Sequence, residues 1–350
     1  MTIKRGNRLH IMLTIKEVAD LAGVSKATVS RVMNNSGYVS PQTREKIESI
    51  VRQYNYTPSA SAVNLSRQET STIGVVVPEI GNIFYADIVH GITEVADQMN
   101  LSLVFVSTSN SAEQEEKAIR MFQQQRVRGI ILGPSVDYTN TEYGLKLLEQ
   151  LKMLNIPIVV VDRAFEGMEW DAVLYENYQS SFRAAQELYQ AGNRRLAILT
   201  GDLTMQIGRE RLKGFLQGAK ACGLEVRDCD ILEGNFTTET AYALSGKMLR
   251  RGDLPDAIYC CNNRSTLGFL KAANECGVQI GKDIALIGND RIQEVDFLGI
   301  GVSWICRDNR QMGSLAMHML DERIRNPEKC KTISVVPYYV ELNGSERKQK

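Results

Sequence analysis

From Thr72 onward, short and almost wholly apolar runs alternate with longer stretches whose apolar residues recur every three or four positions. The runs IGVVVP, LSLVFVS, RGIILGP, PIVVVD, RLAILTG, AIYCCN and IALIGN, each bounded by turn residues, predict strands. DIVHGITEVADQMN, EQEEKAIRMFQQQ and RSTLGFLKAANECG predict helices between them. Strands apolar on both faces, with a helix between each pair, imply parallel sheets covered on both sides. That many units over residues 72–345 predict an α/β body of two doubly wound parallel-sheet lobes. Such sheets bind ligands at the carboxyl ends of their strands, so a ligand is expected between the lobes.

The first part of the chain follows another pattern. Thr14-Ile15-Lys16-Glu17 has the form of a capping box, which predicts a helix from Ile15 with Val18, Ala19, Leu21 and Ala22 inward and Gly23 at its end. Ser25 can cap a second helix carrying Val29 and Val32 on its inner face. Ser40 followed by Pro41 starts a third, with Ile47, Ile50 and Val51 on one side. Two short helices separated by a glycine turn are the layout of a helix-turn-helix, so residues 12–58 predict an all-α head. Once Val29 and Val32 are turned inward, Ser25, Lys26, Ala27, Thr28, Ser30, Arg31 and Asn34 remain outside. Small hydroxylated residues approach phosphates closely, and Lys and Arg reach base edges. The outer face suits a major groove, against the bland alternative of a solvated helix in a small bundle.

Charge supports the first alternative. Over the 350 residues the formal net charge is zero, yet residues 1–70 carry ten Lys and Arg against five Asp and Glu. A basic head on an acidic body is what a polyanion partner requires.

Composition excludes other classes. No apolar run approaches the roughly 18 residues of a membrane helix, and the first residues lack a secretion signal's apolar stretch; Met12 offers a second start. Seven scattered cysteines, without C-x-x-C, argue against a disulfide framework and for buried thiols in a reducing cytoplasm. His10, His90 and His318 stand alone, so no metal site is expected. G-x-S-x-G, Walker and G-x-G-x-x-G motifs are absent, so neither an enzyme nor a cofactor is expected.

TIKEVADLAGVSKATVSRVMNN, with SPQTREKI and NYTP after it, resembles the DNA-binding domain of the lac repressor/galactose repressor family of bacterial regulators. The resemblance implies that Lys26, Ala27 and Arg31 read bases, while Ser25, Thr28, Ser30, Asn34 and Tyr38 hold the DNA backbone. It also implies that residues 59–71 form a hinge helix on operator DNA, with Ala62 facing the minor groove and Leu65 wedged between base pairs. Ser59 and Val63 depart from the family's usual Asn and Arg there.

STIGVVVPEIGNIFYADIVHGI, RGIILGP, IPIVVVDR, GRERLKGF, ALIGND and RQMGSLAMHML extend the likeness to the family's periplasmic-binding-protein-like core. That fold crosses between lobes three times, here expected near residues 172, 303 and 330. Lobe 1 would then hold 72–172 and 304–329, and lobe 2 would hold 173–303 and 330–345. By the same resemblance Phe84, Tyr85, Asp162, Arg163, Arg211, Phe236, Asn262 and Asp290 contact the effector. Carboxylates, Arg and Asn suit vicinal hydroxyls, and aromatics cover ring faces, so a sugar, sugar derivative or nucleoside is expected.

An Asp162–Arg211 structural ion pair, and a Phe236 that only packs on its own lobe, stay open as alternatives. Asn263 stands where Asp is common and is given no ligand role. A dimer is expected, because one head reads one half of a palindrome and the tail NGSERKQK lacks an apolar heptad. The expected function is a ligand-responsive repressor. A plain sugar-binding protein would leave residues 14–66 without a purpose, and a regulator driven by a phosphocarrier-protein corepressor remains a third reading.

Overall fold

The structure, a computed structural model, describes residues 13–56 and 70–348. Contacts divide the chain into two compact units, Met1–Thr70 and Ser71–Lys350.

The first unit contains α1 (Ile15–Ala22), α2 (Lys26–Met33) and α3 (Pro41–Tyr54). Thr14 and Glu17 make both halves of the capping box, and Gly23 closes α1 in the left-handed region at φ 69°. Ser25 caps α2 through the Thr28 amide, and Ser40 caps α3 through that of Thr43. Val18, Ala22, Val29, Val32, Ile47 and Tyr56 form the small core.

The second unit begins with β1 (Thr72–Val77), α4 (Ile83–Gln98), β2 (Ser102–Ser107), α5 (Ala112–Gln125), β3 (Gly129–Leu132), α6 (Glu142–Met153), β4 (Ile158–Val161) and β5 (Asp171–Tyr175). There follow α7 (Asn177–Gln190), β6 (Leu196–Thr200), α8 (Gln206–Ala221), β7 (Ile231–Glu233), α9 (Thr238–Leu249), β8 (Ala257–Cys260), α10 (Asn263–Glu275), β9 (Ala285–Asn289), α11 (Gln293–Phe297) and β10 (Ser303–Arg307). The chain closes with α12 (Asn309–Arg325), β11 (Ile333–Val336) and β12 (Tyr338–Glu341).

Two 6-stranded sheets result, ordered β11-β5-β4-β3-β1-β2 and β12-β10-β9-β8-β6-β7. All pairings are parallel except β10 with β12. Each sheet is the centre of one lobe, with apolar cores on both faces. The chain crosses between lobes after Tyr175, after Arg307 and at Pro337. Each crossing lies a few residues beyond the expected 172, 303 and 330. The cause is specific: β5 runs on to Tyr175, β10 pairs with β9 and stays in lobe 2, and β11 pairs with β5 and stays in lobe 1.

The lobes repeat one plan. A Cβ at Gly91 in α4 would strike the Arg310 carbonyl of α12, and one at Gly214 in α8 would strike the Tyr178 carbonyl of α7. Glycine lets each helix pair approach that closely. The polar tail is part of lobe 2: the Leu286 amide donates to the Ser345 carbonyl at 2.7 Å, and Ser303 Oγ donates to the buried Glu346 carboxylate at 2.6 Å. Cys260 and Cys261 are buried, and burial pushes the Cys261 thiol up to about 11. Among the described residues no helix is long and apolar enough to cross a membrane.

Candidate functional site

The outer face of α2 is as the pattern of its polar positions demands. Ser25, Lys26, Ala27, Arg31, Asn34 and Tyr38 are exposed, and Thr28 and Ser30 are half-buried. Several of these polar groups first satisfy the helix itself: Ser25 Oγ lies 2.9 Å from Thr28 Oγ1, and Asn34 Nδ2 donates to Ser30 Oγ at 3.2 Å. The aliphatic part of Arg31 passes over Gly37, which turns the chain in the left-handed region at φ 70°. Ala62 and Leu65 lie outside the described residues.

The second constellation is the cleft between the lobes. All of the expected positions, Phe84, Tyr85, Asp162, Arg163, Arg211, Phe236, Asn262 and Asp290, line one cavity of about 40 Å³. The cavity lies between the lobes, within reach of side chains from both. Lobe 1 supplies Phe84 and Tyr85 from the first turn of α4, and Asp162 and Arg163 just beyond β4. Lobe 2 supplies Arg211 from α8, Phe236 from beyond β7, Asn262 from the N-cap of α10 and Asp290 from just beyond β9.

Asp162, Phe236 and Asp290 sit in the left-handed region at φ 65°, 64° and 65°. Backbone held there costs on the order of 1 kcal/mol per residue and concentrates at functional sites.

Tyr85 donates to Asp162 Oδ2 at 3.0 Å, and burial raises the phenol's pKa, so it remains a donor. Asp162 Oδ1 is buried without a protein partner. A buried carboxylate oxygen in that condition calls for a hydroxyl or N–H from a ligand. Arg163 donates to Asn110 Oδ1 at 2.9 Å and to the Pro134 carbonyl at 3.1 Å. Arg211 donates to Asn177 Oδ1 at 3.0 Å and to the Cys261 carbonyl at 2.5 Å, so neutral acceptors hold it and the Asp162–Arg211 ion pair does not form. Phe236 packs its ring on Gly201, lies 5.9 Å from the Arg211 guanidinium and still faces the cavity.

Other residues complete the cleft, and of these Glu79, Asn82, Glu115, Arg264 and Arg307 were not anticipated. Asn263, given no ligand role, donates across the cleft to Asn82 Oδ1 at 2.7 Å. Arg264 reaches Glu79 at 2.7 Å beside it, and Arg209 reaches Asp137 at 3.1 Å from lobe 2 to lobe 1. Buried Glu115 accepts from the Ser135 amide at 2.6 Å and from the Tyr138 hydroxyl, which fixes the loop bearing Pro134 and Asp137. Burial raises the Glu115 pKa, with those hydrogen bonds opposing it. Arg307, on a strand that the apolar runs do not reveal, donates twice to Asp290 Oδ1, at 2.9 and 2.6 Å.

A helix-turn-helix head in one chain with a two-lobed, cleft-bearing body defines a ligand-responsive DNA-binding regulator. Residues 14–59 match the model for bacterial regulatory proteins of the lacI family, and residues 70–341 match that for periplasmic binding proteins and the sugar-binding domain of the LacI family. The chain belongs to the lacI family of bacterial regulatory proteins.

It is 30% identical over 329 residues to the ribose operon repressor of Haemophilus influenzae, covering 93% of this chain and 96% of that one. It is 31% identical over 331 residues to the HTH-type transcriptional repressor PurR of Pasteurella multocida, covering 95% and 97%. The fold is that of the lac repressor dimer bound to operator and the anti-inducer ONPF, with a TM-score of 0.84 at 24% identity over 96% of this chain and 99% of that one.

Proposed function

We propose that the chain is a dimeric repressor of a palindromic operator, gated by a small polyhydroxylated effector in the cleft. One observation carries this reading: side chains of both lobes, drawn from widely separated parts of the sequence, converge on a single cavity with an unpaired carboxylate oxygen. Because both lobes contribute, an effector changes the angle between them, and operator affinity changes by as much as its affinity differs between the two angles. Lys26, Ala27 and Arg31 would read bases, and Ser25, Thr28, Ser30, Asn34 and Tyr38 would hold phosphates. Leu65 and Ala62 would enter the minor groove.

The dimer is supported by an apolar patch on lobe 2. Phe297 and Leu298 are 85% and 76% exposed, and Arg291 ties that helix end to β12, where Tyr339, and Leu342 just beyond it, are also exposed. An exposed patch of that kind marks an interaction surface.

The effector class is supported by the mixture of carboxylate, guanidinium, amide and aromatic groups, which suits hydroxyls above and below an apolar ring face. The name of the ribose operon repressor puts D-ribose first in a panel of sugars and nucleosides. The test is to recover fragmented genomic DNA with the full-length chain and to titrate the resulting complex with that panel. A palindrome released or tightened by one compound is the expected result. Enrichment without symmetry, or a complex indifferent to the whole panel, would overturn the reading. In the second case a phosphorylated carrier protein is the next ligand to try.

A further inference from the structure

Arg307 is the last residue of β10, at the point where the chain leaves lobe 2 for lobe 1. Its side chain is 1% exposed. Within lobe 2 both of its contacting nitrogens converge on Asp290 Oδ1. Its other face belongs to lobe 1: the guanidinium carbon lies 4.2 Å from the centre of the Tyr175 ring and 5.4 Å from that of Phe84.

Tyr175 is the last residue of β5, at the first crossing. Its hydroxyl donates at 2.9 Å to Asn309 Oδ1, at the start of α12 and just past the second crossing. Two of the three connections between the lobes therefore meet around one buried cation.

A buried guanidinium is stable only while its surroundings compensate the loss of water. Burial works against the charge of Arg307, and the Asp290 carboxylate overrides it. The aromatic faces add a cation–π attraction that is larger when desolvated. A lobe rotation that draws β5 and α4 away from β10 would withdraw Tyr175 and Phe84 from Arg307 and admit water to one face. Asp290, which lines the cavity, holds the other side of the same cation.

We propose that Arg307 is a positioning residue that ties the angle between the lobes to the cleft carboxylate Asp290. A ligand that engages Asp290 would act on the brace through that carboxylate, whatever compound it proves to be. A cation serving only the core of lobe 2 would make no such link.

Cys229 and Cys330 permit the test. Both are exposed, and they lie just ahead of β7 in lobe 2 and β11 in lobe 1, at the strand ends remote from the cleft. Spin labels on them, in the full-length chain with Cys222 and Cys276 changed to Ser and labelled chains diluted into unlabelled ones, report the lobe angle as a distance distribution. Without added ligand one narrow distance is expected. Arg307→Met and Tyr175→Leu should each shift part of the population to a second distance, and the double variant should shift it no further. Tyr175→Phe, which keeps the ring and loses the hydroxyl, should retain the narrow distribution.

A narrow, unshifted distribution in Arg307→Met would overturn the proposal. So would a broad distribution in the parent chain, or additive shifts in the double variant. If Arg307→Met does not fold, the contrast between Tyr175→Leu and Tyr175→Phe decides. The measurement uses neither DNA nor effector, so it stands apart from the outcome of the operator search.

Discussion

Asp162 and Asp290 hold corresponding places in the two lobes. Each follows the last residue of its strand, β4 or β9, and each has φ 65°. Each backbone amide donates to the neighbouring strand, Asp162 to the Val173 carbonyl at 3.1 Å and Asp290 to the Ile305 carbonyl at 2.9 Å. Their side chains differ. Asp290 is bound by Arg307, and Asn289 donates to its other oxygen at 3.0 Å, whereas Asp162 keeps one oxygen unpaired. Both line the cavity, but only Asp162 offers an oxygen that no protein group holds.

The two should therefore answer differently to the same substitution. Asp290→Asn leaves Arg307 buried beside a neutral group and is expected to lower the unfolding free energy by about 3–5 kcal/mol. Asp162→Asn should leave stability nearly unchanged and weaken effector binding by about 1–3 kcal/mol. Urea unfolding and calorimetric titration with the active panel compound check the pair. Equal stability losses would show that the two carboxylates do the same work.

Gly91→Ala should be costly although it adds one methyl group. The added carbon meets the Arg310 backbone carbonyl rather than a side chain that could turn away, so α4 and α12 must separate. A loss of about 1–3 kcal/mol is expected for overpacking of this kind. Gly167→Ala, at φ 71° with no atom near its would-be Cβ, separates backbone strain from collision. Melting temperatures of the two variants give the comparison.

Acid should weaken lobe 1 through Glu116. Gln150, Tyr143 and Arg120 donate to its carboxylate and hold its pKa at about 2, below the ordinary 4.5. A depressed carboxyl pKa contributes stability above the unfolded value, and that contribution disappears as pH falls from 4.5 toward 2. The urea midpoint is expected to fall over that window, and Glu116→Gln should flatten the decline. An unchanged slope in the variant would assign the acid sensitivity to other carboxyls.

On the head, Arg31→Ala should reduce operator affinity by about 1–3 kcal/mol and relax discrimination at one base position. Tyr38→Phe is the comparison, since loss of a phosphate contact would weaken all sequences alike. Binding to the selected palindrome and to random duplex distinguishes the roles. Equal loss on both duplexes for Arg31→Ala would remove it from base reading.

The head was legible in the sequence because its signals are local. Thr14 and Glu17 make the capping box, Gly23 and Ser25 bound the turn, and Ser40 with Pro41 starts the third helix. In the body, the long apolar runs marked the central strands, and residues just past their ends marked the cleft. The strands DAVLY, ILE, SWICR, ISVV and YYVE were not legible. Polar residues interrupt them, and these pair through tertiary partners that adjacent positions do not reveal: Asp171 with Arg323, and Arg307 with Asp290. Tyr175 and Arg307 were missed because their strands were missed. The crossings were misjudged for the same reason, since the exchange of β11 and β12 at Pro337 leaves no periodic trace.

The interrupted course of each lobe has a bearing on the order in which a growing chain can fold. Lobe 1 buries Ile88, Ile92 and Val95 of α4 in the same core as Met312, Ala316 and Leu320 of α12. That helix is synthesised only after the whole of β6 to β10. Lobe 2, in contrast, has every strand but β12 once Arg307 has left the ribosome. The lobe begun first thus still lacks its packing helix when the other has nearly all its strands, and during elongation the apolar face of α4 must wait for a partner more than two hundred residues downstream. Exposed surface of that kind is what chaperones bind in nascent chains.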